Sequence, residues 1–72
     1  MNWGIFEKFV EWLNEYNAEI ETRKCVWRGN PAIQFILASW DEAIYIAAIE
    51  HGFDVDKYGF DEFGFNVYVV AQ

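Results

Sequence analysis

Few side chains in this chain could perform covalent chemistry. Nucleophilic catalysis needs a nucleophile beside a base, and the sequence offers Cys25, Ser39 and Thr22 with a single histidine, His51. Cys25 lies in a predicted strand, where a thiol behaves as a small hydrophobe, and Ser39 precedes a predicted helix, where its hydroxyl would cap the first turn. His51 lies in the last turn of that helix, where a cation interacts favourably with the helix dipole. We therefore expect a protein that is not an enzyme and assign no catalytic residue.

Carboxylates and metal ligands give a similarly weak signal. Asp54 and Asp56 could do acid–base work, but no second group or pocket accompanies them in the sequence. They begin a segment resembling a calcium loop, with oxygen ligands at positions one and three and glycine at six, yet position twelve is Phe65 instead of a bidentate glutamate. Zinc would have only His51 and Cys25 as soft ligands. We expect no metal and no other cofactor.

The first predicted element of the fold is a helix over residues 3–16. Its apolar side chains follow helical spacing. Three glutamates, Glu7, Glu11 and Glu15, recur at every fourth residue and form an acidic ridge on one face.

A hairpin and a second helix follow. Residues 18–28 and 32–38 favour strands, and the Arg-Gly-Asn-Pro segment between them is a turn signal. Ser39 and Glu42 form a predicted capping box, and Gly52 is the expected helix stop. Because the interior of this helix is apolar on all sides, we expect it to be buried on more than one side.

The remainder completes a small α+β fold. Residues 53–64, which are rich in acids and contain two glycines, are predicted to form a loop, and residues 65–71 a final strand. The order α-β-β-α-β predicts a three-stranded mixed sheet, its second and third strands being parallel and joined by a right-handed crossover. Both helices would cover one face of a two-layer sandwich, and residues 1–72 would form a single compact domain.

The uncovered sheet face is predicted to be unusually apolar. Ile36, Tyr68 and Val70 would point away from the helices, whereas a solvated sheet face is normally more polar. They are the predicted dimer face, and the bare edge of the final strand would offer a second way to pair copies.

Composition limits the classes of function. The chain has 72 residues, a net charge of −7, 21% aromatic residues and one cysteine. The apolar content is too high for a disordered tail, and the acidity disfavours direct binding of nucleic acid. No apolar run reaches the ~20 residues of a membrane span, and the N-terminus does not have the pattern of a signal peptide. We expect a cytoplasmic protein without an internal disulfide.

The acids and the aromatic residues together predict a binding surface. Residues 39–72 hold seven acids and one base. Aromatic side chains serve as buried anchors in interfaces, and carboxylates steer a basic partner into place. The predicted partner-binding residues are Glu7, Glu11, Glu15, Asp54, Asp56, Tyr58, Phe60, Asp61 and Glu62.

These features predict a small acidic inhibitor or adaptor that binds a basic protein surface. The most specific version of this hypothesis is a nucleic-acid mimic. The glutamates of the first helix recur about every 6 Å along its axis, a spacing that roughly resembles the row of charges on a nucleic-acid backbone. In size and charge the chain resembles phage- or plasmid-encoded antagonists of CRISPR or restriction effectors. That resemblance implies a nucleic-acid-binding effector as the partner, reached in the cytoplasm of a host cell. The alternative is a homodimeric structural or regulatory module that associates through the open sheet face or the apolar second helix.

Overall fold

The computed structural model describes residues 2–71 and has an α+β fold, as predicted. Two helices pack on a four-stranded antiparallel sheet in which the strand order is β1-β2-β4-β3. The elements are a 3-10 turn at Gly4–Phe6, α1 at Glu7–Tyr16, β1 at Arg23–Trp27, β2 at Asn30–Leu37, α2 at Glu42–Glu50, β3 at Asp54–Asp61 and β4 at Gly64–Val70.

The prediction of three strands is wrong, because the supposed loop over residues 53–64 contains β3. This strand pairs antiparallel with β4, from Asp54 opposite Val70 to Asp61 opposite Gly64, with a bulge between Lys57 and Phe60. It forms one edge of the sheet. Charges, glycine and bulges are typical of edge strands, because they prevent the unpaired edge from pairing with another chain. The same features lead to the prediction of a loop for this segment.

The prediction of a mixed sheet is also wrong. Both β2 and β3 pair antiparallel with β4, which lies between them. It follows that β2 and β3 run in the same direction, and that α2 is the crossover between them. The parallel strand expected after the second helix is therefore β3, and the predicted final strand is its hairpin return. Because β4 is internal, it has no bare edge with which to pair a second copy.

The core lies between the helices and one face of the sheet. Its most deeply buried large side chains are Phe6, Phe9, Leu13, Phe35, Val67 and Val69. Both helices contribute to this cluster, so both cover the same face. The ring of Phe53, just before β3, stacks on Phe6 and meets Phe9 edge-on at 6.1 Å. The 3-10 turn and α1 are thereby anchored to the segment that leads into the last hairpin.

The predicted first hairpin is confirmed, but β1 begins only at Arg23, and Asn30 and Pro31, which the sequence predicts for the turn, belong to β2. Trp27 pairs with Asn30, and the two residues between them, Arg28 and Gly29, both have positive φ angles of 52° and 83°. Positive φ at both central residues is the pattern of a type I′ turn, whose twist matches that of the flanking strands. The chain thus consists of two successive helix–hairpin units. The two hairpins form one sheet because β2 of the first pairs with β4 of the second.

The N-terminus of α2 differs from the predicted capping box. Asp41 is the N-cap residue, and its Oδ1 accepts a hydrogen bond from the Ala43 backbone N–H at 3.0 Å. Its Oδ2 accepts from the Tyr16 hydroxyl at 2.7 Å. The carboxylate therefore caps α2 and also ties the end of α1 to it. Glu42 instead accepts a hydrogen bond from the Trp40 indole.

Replacement of the cap should distinguish the two interpretations. Asp41→Ala removes the acceptor of both Ala43 and Tyr16, and we expect it to lower the free energy of unfolding by about 1–2 kcal/mol. Ser39→Ala, which would remove the predicted cap, should change it by less than about 0.5 kcal/mol. Urea unfolding followed by circular dichroism measures both. A larger loss for Ser39→Ala than for Asp41→Ala would contradict the assignment.

Candidate functional site

The sheet face away from the helices is partly closed by Trp27. Its indole stacks on Tyr68 with 3.8 Å between ring centroids and meets Tyr58 edge-on at 5.1 Å. Because β2 separates β1 from β4, the indole must pass across β2 to reach Tyr68. This explains why Ala32 and Val70, which face away from the helices, are nevertheless buried. We refer to Trp27, Tyr58 and Tyr68 as the outer aromatic cluster.

The predicted dimer residues are placed in different environments by this cluster. Ile36 is exposed, Tyr68 is half-buried beneath Trp27, and Val70 is buried. They do not form one continuous exposed patch. Of the three, Ile36 alone offers an exposed apolar surface.

Asp56 holds the outer aromatic cluster in place. Its Oδ2 accepts a hydrogen bond from the Trp27 Nε1–H at 2.9 Å and lies 3.4 Å from Nη1 of Arg28. The guanidinium also lies 5.5 Å from the centre of the Trp27 ring. This predicted partner-binding carboxylate therefore has an internal task. Sequence reasoning missed that task because β1 and β3 lie at opposite edges of the sheet.

Asp61 fixes the turn between β3 and β4. Its Oδ2 accepts a hydrogen bond from the Asn66 amide at 3.0 Å, and its Oδ1 accepts from the Phe63 backbone N–H at 2.8 Å. These bonds favour the ionised form. The Asn66 bond, followed by the backbone bonds from Phe63 and Gly64, lowers the pKa of Asp61. The second predicted carboxylate of this hairpin is thus also part of the local structure.

The hairpin should consequently weaken in acid. A carboxyl whose pKa is lower in the folded state contributes stability above its unfolded pKa of about 3.9. That contribution is lost as the pH falls through the lower folded value. We expect the free energy of unfolding to fall between about pH 4 and the folded pKa of Asp61, and Asp61→Asn to reduce this slope. NMR titration of the Asp61 carboxyl carbon measures its pKa directly, and a value at or above 3.9 would contradict the assignment.

The end of the β3–β4 hairpin exposes two aromatic side chains. Phe60 and Phe63 are 68% and 69% exposed, the highest values among the large hydrophobic residues that the structure describes. Glu62, also exposed, lies between them in the turn. We refer to Phe60, Glu62 and Phe63 as the hairpin tip. Tyr58 is 56% exposed but lies in the outer aromatic cluster, whereas Phe60 pairs with Phe65 on the helix side of the sheet.

An aromatic strip runs from the hairpin tip to α2. Phe60 contacts Phe65 with 4.7 Å between ring centroids, Phe65 contacts Trp40 at 6.4 Å, and Trp40 contacts Tyr45 at 6.1 Å. The ammonium of Lys57 lies 4.8 Å from the Trp40 ring centre and 5.2 Å from that of Phe65. Sequence reasoning missed this strip because its rings come from β3, β4, the connection before α2 and α2 itself.

The outward face of α2 is apolar and exposed, which corrects the expectation that this helix is buried on more than one side. Ile44, Ala47 and Ala48 face the core, whereas Tyr45, Ile46 and Ile49 are exposed. Tyr45 also ends the aromatic strip. The exposed surface therefore continues from the hairpin tip onto α2.

The acidic ridge of α1 lies apart from the hairpin. Glu7, Glu11 and Glu15 are all exposed, as predicted for a ridge on one helix face. Glu7 and Glu11 line a groove with Lys24 of β1, and β1 is the sheet edge opposite β3. The predicted acidic residues therefore form two surfaces, and the hairpin side carries the aromatic rings that are most exposed among the described residues.

Two of the residues considered for catalysis, Cys25 and His51, have environments that the structure defines. Burial raises the pKa of the Cys25 thiol, which disfavours the reactive thiolate. His51 Nδ1 donates to the Ala47 carbonyl at 2.7 Å, and its ring packs edge-on against Phe9. Within residues 2–71 there is no group of three or more His, Cys, Asp or Glu side chains that could hold a metal ion. Over the same range no helix has the length and apolar character needed to cross a bilayer.

The geometry of the described residues offers exposed contact surfaces. Its strongest candidate is the combination of the hairpin tip, the aromatic strip and the exposed face of α2. Comparison of the chain with protein-family models, curated proteins and solved structures finds no match.

Proposed function

We propose that this protein is a small acidic binding module that acts as an inhibitor or adaptor by docking onto a basic surface of another protein. The observation that carries the proposal is the exposure of Phe60 and Phe63, about two thirds of each side chain, on either side of Glu62. Exposed aromatic groups of this kind typically mark interaction sites when they form a patch with polar neighbours.

The charge of the surrounding chain favours a basic partner. Seven acids and one base occupy residues 39–72, the half that carries the hairpin tip and α2. An excess of one sign speeds association with the opposite sign and disfavours partners of like sign. The aromatic rings would supply most of the affinity, since buried aromatic anchors dominate interface energetics.

A nucleic-acid-binding effector of a host cell is the partner class we propose. The exposed α1 ridge supports this choice, because Glu7, Glu11 and Glu15 repeat at about 6 Å along the helix axis and offer a row of negative charges. In this proposal the ridge occupies positions that phosphates would take, and the hairpin tip provides apolar anchoring at the side of the basic surface.

Capture with a competitor tests this proposal. The purified chain is immobilised, a bacterial lysate is applied at low salt, and bound proteins are eluted with excess duplex DNA. We expect a specific protein to be retained, to be displaced by the DNA, and to bind less well as salt is raised. A retained protein that DNA does not displace would contradict a nucleic-acid-binding surface as the target.

Matched variants show whether the hairpin tip makes the contact. Phe60→Ser with Phe63→Ser should reduce capture by at least tenfold, because both anchors are lost. Ile5→Ser with Val26→Ser removes two other exposed hydrophobic groups and should leave capture unchanged. Glu62→Gln should slow association more than Glu19→Gln, which makes the same charge change at a residue outside the hairpin tip. Equal effects of the two serine pairs would argue against the hairpin tip.

Self-association through α2 is a second candidate. The exposed apolar face formed by Tyr45, Ile46 and Ile49 supports it. The charge pattern of α2 disfavours self-association, because Glu42 and Glu50 border the same face. In an antiparallel helix pair, Glu42 of one copy would approach Glu50 of the other, and like charges repel. We therefore rank it below binding of a basic partner.

Sedimentation equilibrium at micromolar concentration separates the two candidates. A dimer that becomes a monomer on Ile46→Glu, and stays a dimer on Ile36→Glu, would support pairing through α2. The reverse pattern would place the contact on the outer sheet face. A monomer at all concentrations would exclude both faces and leave the basic partner.

A further inference from the structure

We propose that the rings of Trp40 and Phe65 form a binding site for the guanidinium group of an arginine side chain, and that Lys57 occupies this site in the isolated protein. The inference deepens the proposed function, since it specifies which group of a basic partner is recognised. It is tested with small ligands, so its outcome does not depend on finding the partner.

The position of Lys57 shows that the site accepts a cation. Its ammonium lies over both rings, 4.8 Å from the centre of Trp40 and 5.2 Å from the centre of Phe65. Both distances are within the ~6 Å at which a cation is attracted by the negative face of an aromatic ring. Lys57 is also the single base among residues 39–72. This base therefore lies over aromatic rings although the same half of the chain holds seven acids.

A carboxylate adjusts the electronic character of the site. Glu42 accepts a hydrogen bond from the Trp40 Nε1–H at 3.0 Å. A carboxylate that accepts a hydrogen bond from the indole N–H increases the electron density of the ring. Its negative charge also attracts a cation on the ring face directly. Tyr45 and Phe60 extend the apolar wall on either side, through their contacts with Trp40 and Phe65.

The contact made by Lys57 is one that an incoming arginine can replace. Lys57 is exposed, and it holds a compact, strongly hydrated ammonium on a flexible stem. A guanidinium is planar and less strongly hydrated, so it stacks on aromatic faces more favourably than an ammonium does. Arginine is accordingly the expected occupant when a basic partner binds.

Titration with N-acetyl-arginine amide, followed by the NMR signal of the Trp40 indole N–H, tests the site. Trp40→Phe identifies that signal. We expect Lys57→Met to bind the ligand about threefold to sixfold more tightly than the unchanged protein, since an exposed cation–π contact keeps the site occupied for most of the time. The neutral isostere N-acetyl-citrulline amide should produce no saturable shift.

Two further variants separate a ring site from general electrostatic attraction. Lys8→Met makes the same charge change on α1 and should leave the affinity within twofold of the unchanged protein. Glu42→Gln keeps an acceptor for the indole but removes the charge, and it should weaken binding by about threefold. Equal gains from Lys57→Met and Lys8→Met, or equal binding of citrulline and arginine, would overturn the proposal. If arginine binds but no partner is captured, the result would support this site and contradict the proposed function.

Discussion

Gly64→Ala is expected to leave the protein largely unfolded at room temperature. Gly64 is buried at the start of β4 with a φ angle of +128°, a conformation essentially restricted to glycine. An added Cβ would lie far inside van der Waals contact with the Leu37 carbonyl oxygen and 2.8 Å from its carbonyl carbon. Both atoms belong to the backbone and cannot rotate away. We expect a loss on the order of 3–5 kcal/mol, similar to the whole stability of a domain this small.

Gly59→Ala is the matched control for that substitution. Gly59 also has a positive φ, +73°, but an added Cβ would meet no atom within 4 Å. The cost is then limited to about 1–2 kcal/mol of backbone strain. Urea unfolding measured by far-ultraviolet circular dichroism gives both values. Similar losses in the two variants would mean that close packing against Leu37 is not what requires glycine at position 64.

Trp27→Ala is expected to have the second-largest effect, about 2–4 kcal/mol. The substitution removes the stack on Tyr68, the edge contact with Tyr58 and the hydrogen bond to Asp56. It also exposes the side chains of the outer face that the indole covers. Truncation of a buried aromatic residue costs 3–5 kcal/mol, and Trp27 is only half-buried, so the lower range applies.

Two comparisons show which contact matters. Trp27→Phe keeps a stacked ring but loses the indole N–H, so we expect it to cost about 1–2 kcal/mol less than Trp27→Ala. Ile36→Ala removes an exposed apolar side chain from the same sheet face and should cost less than about 1 kcal/mol. If Trp27→Ala were no more harmful than Ile36→Ala, the outer aromatic cluster would not stabilise the fold.

Local signals in the sequence predict much of the fold. The β1–β2 turn needs residues that tolerate positive φ, and Gly52, with a φ of +86°, follows the end of α2. β3 could not be predicted in this way. Its acids alternate with Val55 and Lys57 in the strand pattern, but strand propensity reflects packing against neighbours. Those neighbours become known only with the register of β4.

The candidate site shows a similar limit. Composition predicts that the acids and aromatic residues of the last hairpin form a surface, but it does not distinguish the tasks of individual carboxylates. Asp56 and Asp61 have hydrogen-bond partners within the fold, whereas Glu62 lies exposed in the turn. The aromatic strip depends on Trp40, in the connection before α2, meeting Phe65 of β4. Long-range contacts of this kind leave no periodic signal in a single sequence.

The junction between the two hairpins has a consequence for the order of folding events. Each hairpin closes over a two-residue turn, a contact of the kind that forms within about 1–10 μs. The pairing of β2 with β4 instead joins Ala32 to Val70 and Leu37 to Phe65, so a long loop must close before it yields any stabilisation. We expect this step to limit the folding rate. Truncation of Phe35 or Val67 at the junction should then slow refolding, whereas changes in the outer strands should mainly accelerate unfolding.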